Sequence, residues 1–305
     1  MSAGRYAPSP SGDLHLGNLR TALLAWLAAH AEDRQLLLRY EDLDAGRTVA
    51  GSAERQRADL ESLGITFDGE VLRQSQRQAI HDDAVAELRS RGLVYECFCT
   101  RREIQEATRA PHAPPGAYPG TCRNLSEQER ARRREQRPPA LRLRVPGRQR
   151  QQSVEDRLLG RVDGVVDDLV LIRNDGTAAY NLAVVVDDHL TGVDQVLRGD
   201  DLASSAPRQA YLRELLYGEQ ARSAVAYIHV PLVLSPEGSR LAKRDGAVTL
   251  AQLQERGTGP DAVRDLLLDS LGLTPGPLGR ALEAFRLEDL PRDPWTFQES
   301  ALPQS

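Results

Sequence analysis

A chain of 305 residues, 40 % hydrophobic and 27 % charged, has room for one large α/β domain with insertions or for two domains. It buries enough surface to fold without disulfides. Lys plus Arg total 39 against 44 Asp plus Glu, a net charge of −5. That excludes a generally basic nucleic-acid binder, so any such contact needs a local patch. The N-terminus lacks a charged-then-apolar leader and no apolar run reaches membrane-spanning length, so the expected location is the cytoplasm. The three cysteines, an odd number within one short segment, argue against a disulfide framework.

The stretch Arg5-Tyr6-Ala7-Pro8-Ser9-Pro10-Ser11-Gly12-Asp13-Leu14-His15-Leu16-Gly17-Asn18 organises the rest of the chain. A first strand ends where Pro8, Pro10 and Gly12 force a turn. Leu16, Leu19, Leu23, Leu27 and His30, spaced three or four apart, predict a helix at once. A strand, a glycine-containing loop and a helix N-terminus form an anion site, because unpaired amide N–H groups point outward there. His15 and Asn18 add side-chain donors at its mouth. Gly17 lets a flat ring or a phosphate approach the backbone. Neither G-x-x-x-x-G-K-[ST] nor G-x-G-x-x-G follows the strand.

Leu36–Tyr40 reads as a buried strand running into Glu41-Asp42-Leu43-Asp44. In an open α/β sheet its carboxyl end faces the same crevice as the first strand's. Glu41 is a candidate for holding a substrate ammonium; the plainer reading is a solvated loop carboxylate. Ser52 is placed to cap a helix running to Leu63 that Gly64 ends, and a second helix spans about Gln76 to Arg91 before Gly92. Val94-Tyr95-Glu96-Cys97-Phe98-Cys99 then opens an insertion that closes around Tyr118-Pro119-Gly120-Thr121-Cys122. Cys97, Cys99 and Cys122 are three soft thiolate ligands that suit tetrahedral zinc, Zn2+. The fourth ligand is open, with His112 the chemically ordinary choice. Ser126 and Glu129 make a capping-box pattern before an Arg-rich helix. Arg130, Arg132, Arg133, Arg134 and Arg137, with Arg142, Arg144, Arg148 and Arg150, form the most basic region, either a solvated face or a phosphate-tracking surface.

Asp168–Arg173 reads as a strand, Asn174-Asp175-Gly176 as a turn, and Thr177–Val186 as a buried apolar segment. A polar loop and a short strand ending in Arg198-Gly199-Asp200-Asp201 come next. An arginine at a strand's end suits a carboxylate, which its planar fork binds bidentately. A salt bridge from Arg198 to Asp200 or Asp201 is the structural alternative. Ile228–Leu234 is a strand leading into the cationic loop Ser235-Pro236-Glu237-Gly238-Ser239-Arg240-Leu241-Ala242-Lys243-Arg244. Such a loop suits a reaction in which charge builds on departing phosphates. Helices after Thr249 and over Asp261–Leu271 close the fold, and a tail from Thr274 docks through Trp295.

His15-Leu16-Gly17-Asn18 resembles the HIGH-type signature of class I aminoacyl-tRNA synthetases, and Arg5 to Gly12 resembles the opening of their glutamyl/glutaminyl branch. Val186 to Asp201 is a second match. Arg240 to Arg244 resembles the KMSKS-type loop; Lys243 keeps the fourth position, while Arg240, Ala242 and Arg244 replace the first lysine and the two serines. The resemblance covers residues 5 to about 250. It implies an α/β fold with a class I, Rossmann-like parallel sheet, an inserted zinc-bearing acceptor-type subdomain and a short helical C-terminal extension. The implied segments are 1–93 and 166–225 for the two halves of the catalytic domain, 94–165 for the insertion, and 226–305 for the loop and extension. The implied reaction uses ATP with Mg2+, with His15, Asn18 and Lys243 catalytic and Gly17 also against ATP. The implied glutamate site is Arg5, Tyr6, Ala7, Pro8, Ser9, Glu41, Tyr180 and Arg198. Glu41 takes the amino group; Arg5, Arg198 and the Tyr180 hydroxyl take the γ-carboxylate. Neutral glutamine would leave the two cations poorly compensated. The resemblance also implies Tyr118 as an unusual fourth ligand, giving one structural zinc on Cys97, Cys99, Tyr118 and Cys122, with His112 the alternative.

Few residues follow the KMSKS-type loop, too few for an anticodon-reading domain. With the zinc pattern, this resembles the truncated paralogues of glutamyl-tRNA synthetase that attach glutamate to the queuosine base in the anticodon loop of tRNA(Asp). The implied partners are tRNA(Asp) carrying queuosine, L-glutamate and ATP, with no membrane, and the expected state is a monomer. The rival readings are a minimal synthetase charging the 3′ end of tRNA(Glu), a non-catalytic tRNA-binding relict, and a small-molecule adenylating ligase.

Overall fold

The structure, a computed structural model, describes residues 2–100, 102–104, 118–147, 149–239, 241 and 248–298. The chain runs β1 Ala3–Tyr6, α1 Leu16–His30, β2 Gln35–Tyr40, α2 Ser52–Ser62, β3 Leu72–Arg73, α3 Gln78–Ser90 and β4 Val94–Cys97. After the cysteine segment come α4 Glu127–Arg134, β5 Ala140–Leu143, β6 Gln149–Asp156, β7 Gly160–Asp167 and β8 Val170–Ile172. Next are α5 Tyr180–Leu190, β9 Val193–Gly199, α6 Ala206–Tyr217, α7 Glu219–Ser223, β10 Ala226–Val230 and β11 Val233–Leu234. The C-terminal part holds α8 Leu250–Glu255, α9 Pro260–Asp269, α10 Leu278–Ala284 and β12 Trp295–Thr296.

The main sheet has seven strands in the order β3-β2-β1-β9-β10-β6-β7. All its pairings are parallel except the β6–β7 hairpin. The strand order turns at β1, which has β2 on one side and β9 on the other. In open α/β sheets the crevice at such a switch point, beyond the carboxyl ends of the strands, is where ligands bind. A three-stranded antiparallel sheet β4-β5-β8 carries the cysteine segment. The hairpin 149–167, inside the stretch expected to form the insertion, belongs to the main sheet through β10.

Helix α1 explains why the core sits where it does. Leu16, Leu19, Leu23 and Leu27 are buried, and so are Ala22, Leu24, Ala25, Trp26, Ala28 and Ala29. A helix apolar on most sides lies between layers rather than on a surface. One side of α1 meets β1 and β9, and another meets α10. Arg20, 2 % exposed, crosses this interface: Nη1 donates to Pro231 O at 3.2 Å and Nε to Ser270 Oγ at 3.1 Å. Trp295 is docked as expected, since β12 pairs with β11 and Arg20 lies 5.9 Å from the Trp295 ring centroid.

Several local expectations change. Helix α2 is preceded by Gly51 at φ 71°, and Ser52 is its first residue, not its cap. The Ser52 hydroxyl instead donates to Gly12 O at 2.7 Å and accepts Gly12 N–H at 2.9 Å. Gln56 Nε2 donates to the same carbonyl at 2.6 Å, so α2 pins the turn after β1. Gly12 sits at φ 127°, where a side chain would be strained. The polar loop expected after Val186 shrinks to Thr191-Gly192, because α5 continues through Asp187, Asp188 and His189. Pro231, which lacks an N–H, separates β10 from β11 and interrupts the expected strand over Ile228–Leu234.

Candidate active site

A cavity of about 980 Å³ opens at the switch point. It is lined by Arg5, Tyr6, Ala7, Pro8, Ser9, His15, Gly17, Asn18, Glu41, Tyr180 and Arg198, which the sequence placed on separate segments. Lys243, with Arg240, Ala242 and Arg244, lies outside the described residues, as does His112. The residues bracketing the Lys243 loop are anchored at the cavity. Leu241 N–H donates to Val233 O at 3.1 Å, and Val248 O accepts Leu16 N–H at 3.1 Å.

The N-terminus of α1 differs in detail from a bare anion site. His15 is the N-cap: its Nδ1 accepts Asn18 N–H at 3.3 Å, while Asn18 Oδ1 accepts His15 N–H at 3.3 Å. The amides of Leu16 and Asn18 are therefore committed within the fold. Because His15 Nδ1 is an acceptor, the neutral ring carries its proton on Nε2. The Asn18 carbonyl is likewise spent, which leaves its NH2 as the donating end. At Gly17 a Cβ would stand 3.1 Å from His15 Cε1 and 3.4 Å from Val233 Cβ. Glycine keeps that face flat.

Deeper in the cavity two buried guanidinium groups meet. Arg5 is 4 % exposed and Arg198 5 %. Arg5 Nη1 donates to Leu197 O at 3.0 Å, and its Nε lies 3.6 Å from Asp188 Oδ1. Arg198 Nη1 donates to Gln209 Oε1 at 2.9 Å and to the Tyr180 hydroxyl at 3.2 Å. Its Nη2 is buried without a hydrogen-bond partner. The bonds described for Arg198 go to Tyr180, Gln209 and His229, not to Asp200 or Asp201. An unsatisfied buried guanidinium nitrogen on a residue that lines a cavity is a candidate receptor for an anionic group. Glu41 lines the same cavity, 3.3 Å from Arg39 Nη2. Burial raises its carboxyl above the usual range, opposed by Arg39 and Arg5, and an arriving ammonium would restore its charge.

The three cysteine sulfurs lie within 4.8 Å of one another. Tyr118 Oη stands 3.2 Å from Cys97 Sγ and 3.5 Å from Cys99 Sγ, and it accepts Cys122 N–H at 3.0 Å. This donor set is compatible with a tetrahedral zinc site. Cations stand beside it: Arg133 Nη1 is 3.7 Å from Cys122 Sγ, and the Arg142 guanidinium is 3.7 Å from the Tyr118 ring centroid. The Cys97 thiol is pulled down strongly by hydrogen bonds from Cys122 and Cys99. Three thiolates around a divalent ion would leave excess negative charge, which the two arginines would offset. The same geometry takes Arg142 and Arg144 out of the expected basic surface. Arg142 donates to Asp168 O at 2.7 Å and Arg144 Nη2 to Arg123 O at 2.6 Å. On α4, Arg134 is held by Glu96 and Glu127.

With this geometry in view, comparison with known proteins decides the lineage. Residues 3–295 match the model of the class I tRNA synthetase catalytic domain for glutamate and glutamine (E and Q). The chain belongs to this family. It is 58 % identical over 303 residues to the glutamyl-Q tRNA(Asp) synthetase of Nocardia farcinica, covering 99 % of this chain and 95 % of that one. A protein of the same name from Cutibacterium acnes is 52 % identical over 275 residues, 89 % of this chain and 76 % of that one. Among solved structures, the glutamate tRNA ligase of Elizabethkingia meningosepticum, in complex with its amino acid, superposes with a TM-score of 0.80 at 28 % identity. That match covers 99 % of this chain and 68 % of the other.

Several residues that build this synthetase cavity escaped the sequence reading. Asp188, in mid-helix, is 3 % exposed between Arg5 and Arg39. Asp187 joins Arg77, His81 and Gln74. Asp156, His229 and Gln209 gather behind Arg198. Asp187 and Asp188 did carry a signal, two adjacent carboxylates in an apolar stretch, since buried carboxylates demand partners.

Proposed function

We propose that this chain activates L-glutamate with Mg-ATP and transfers the glutamyl group to the queuosine base in the anticodon loop of tRNA(Asp). The observation that carries the substrate is the pair of buried guanidinium groups, Arg5 and Arg198, lining one cavity with Tyr180 and Glu41. The nucleic-acid partner rests on the relatives that match almost end to end, which are glutamyl-Q tRNA(Asp) synthetases.

Glu41 takes the substrate ammonium, while Arg5, the unpaired Nη2 of Arg198 and the Tyr180 hydroxyl take the γ-carboxylate. Glutamine would give Arg198 no carboxylate and leave Arg5 with Asp188 alone, at a cost that a neutral amide does not recover. Tyr6, Ala7, Pro8 and Ser9 form the wall between this end and the phosphates. The substrate's α-carboxylate attacks the α-phosphorus of ATP, forming glutamyl-adenylate and releasing pyrophosphate. His15 Nε2–H, the Asn18 amide and Lys243 stabilise the phosphates as charge moves onto the leaving group, and Gly17 lets the nucleotide approach. A hydroxyl of the queuosine cyclopentene then attacks the mixed anhydride and AMP departs. Cys97, Cys99, Cys122 and Tyr118 hold one structural zinc, which ties the ends of the insertion together.

The test is transfer of labelled glutamate, with Mg-ATP, to tRNA(Asp) with and without queuosine, followed by nuclease mapping. Label confined to the anticodon fragment, and requiring queuosine, is the expected result. Label at the 3′ end of tRNA(Glu) would replace this reading with a minimal glutamyl-tRNA synthetase.

A further inference from the structure

Arg198 is held from behind by an arrangement that leaves little freedom in its chemistry. Its Nε donates to His229 Nε2 at 3.0 Å. The other ring nitrogen, Nδ1, lies 2.6 Å from Asp156 Oδ2. A guanidinium Nε–H can only donate and a carboxylate can only accept. The ring must therefore be neutral, with its proton on Nδ1 and its lone pair on Nε2. His229 is fully buried and Asp156 is 5 % exposed. Asp156 is fixed in turn, accepting the His229 amide at 3.1 Å and the Leu158 and Leu159 amides at 2.9 Å each. The sheet supplies the alignment, since Arg198 and His229 are register partners on β9 and β10, and Asp156 ends β6 beside β10.

We propose that Asp156 and His229 are positioning residues that fix the tautomer and plane needed to aim Arg198 Nη2 at the substrate's side-chain carboxylate. The inference rests on the reading of Arg198 as part of the glutamate site. With Nε held by His229 and Nη1 by Tyr180 and Gln209, the N–H groups of Nη2 are left to the ligand. Such positioning is worth as much as a direct contact, because an ångström of misplacement defeats a bidentate geometry. A proton added to His229 would turn Nε2 from acceptor to donor against Arg198 and push the guanidinium away. Burial and Arg198 keep the ring easier to deprotonate than usual, opposed by Asp156. The other charged or titratable groups around it are Arg5, Asp200 and the Tyr227 ring. As pH falls below 6.5, the ordinary value for the ring, protonation of His229 lowers glutamate affinity.

The experiment is calorimetric titration of the full chain with L-glutamate and, separately, with Mg-ATP, for wild type, His229→Leu, His229→Gln and Asp156→Asn. His229→Leu is expected to weaken glutamate binding at least about ten-fold, in the range of a lost hydrogen bond to a charged group, and to leave ATP affinity unchanged. His229→Gln keeps an acceptor without a titrating ring. It should bind glutamate within about three-fold of wild type and lose part of the acid-limb pH dependence. What remains belongs to Glu41. Asp156→Asn should resemble His229→Leu at reduced size. Glutamate affinity unchanged in a folded His229→Leu, or an acid limb unaltered in His229→Gln, overturns the inference. Should His229→Leu fail to fold, the His229→Gln profile decides. Wild type that binds ATP but not glutamate overturns the substrate reading, and this inference with it; that outcome is visible before any variant is made.

Discussion

Asp188 gives the strongest single test of how the cavity is built. Its carboxylate is 3 % exposed, with Oδ1 2.5 Å from Arg39 Nη1 and 3.6 Å from Arg5 Nε. Replacing it with Asn keeps the shape and removes the charge that Arg5 and Arg39 share. Arg39 retains Glu41 at 3.3 Å, but among the described residues Arg5 keeps its bond to Leu197 O and no second carboxylate ion pair. Breaking a buried ion pair by removing one partner costs about 3–5 kcal/mol, a large part of a typical total of about 5–15 kcal/mol. Burial alone would raise the Asp188 pKa, yet Arg39 and Arg5 outweigh it and hold the carboxyl below its usual range. A group depressed in the folded state contributes stability that is complete above its unfolded value, near 4, and lost as pH falls through the folded value. The difference between wild type and Asp188→Asn in urea unfolding should therefore be full at pH 7 and shrink below about pH 4. Glutamate affinity should fall too, since Arg5 loses its anchor. A difference under about 1 kcal/mol at pH 7, or one that does not change down to pH 3, would refute the reasoning.

Four further outcomes are expected from the geometry. Tyr180→Phe removes the hydroxyl that accepts Arg198 Nη1 at 3.2 Å and should raise the KM for glutamate about ten-fold, with kcat and Tm little changed, in steady-state pyrophosphate exchange. At Gly199 an added Cβ would sit 2.7 Å from Asp201 Oδ1 and 2.9 Å from Leu232 Cδ2, both the far ends of side chains, so Gly199→Ala should turn those side chains aside and lower stability by only about 0.5–1.5 kcal/mol in a thermal melt. Ser52→Ala strands the Gly12 N–H that now meets the hydroxyl, while the Gly12 carbonyl keeps Gln56, and urea unfolding should show a loss of about 1–3 kcal/mol. Metal analysis should find one zinc per chain; Cys122→Ser should lose it, and Tyr118→Phe should weaken it about ten-fold in competition with a chelator. Full zinc retention in Cys122→Ser would remove the thiolate site from consideration.

What could be read from the chain beforehand was whatever repeats or punctuates locally. The period of Leu16, Leu19, Leu23 and Leu27 marked α1, and Gly64 and Gly92, both at positive φ, ended their helices where expected. Ser126 and Glu129 form the capping box that their spacing implied. The cavity residues of the Arg5–Asn18 stretch and Arg198 were also legible, because they sit in short motifs at strand ends, whereas Glu41 and Tyr180 stood out only through the family resemblance. The residues behind them were not. Asp156 and His229 are separated by 73 positions, and Arg39 and Asp188 by 149. No local pattern encodes a partnership of that kind. For Asp156 and His229 it comes from register, which depends on how the whole sheet assembles, and for Arg39 and Asp188 from how α5 meets the sheet.

The same distinction shows why Asp187 and Asp188 look polar in sequence and act as interior residues in the fold. Side by side on α5, they face opposite obligations. Asp187 holds Arg77 and His81, fixing α3 against α5. Asp188 holds Arg39 and Arg5 beneath the cavity. Neighbouring residues on a helix point about 100° apart, so two successive carboxylates can serve two different layers. A loop would have allowed both to reach water and neither to be tied down. Continuing the helix through them commits both to buried cations, and the guanidinium array beneath the cavity is thereby assembled before any ligand arrives. A site organised in this way gains affinity by avoiding reorganisation on binding.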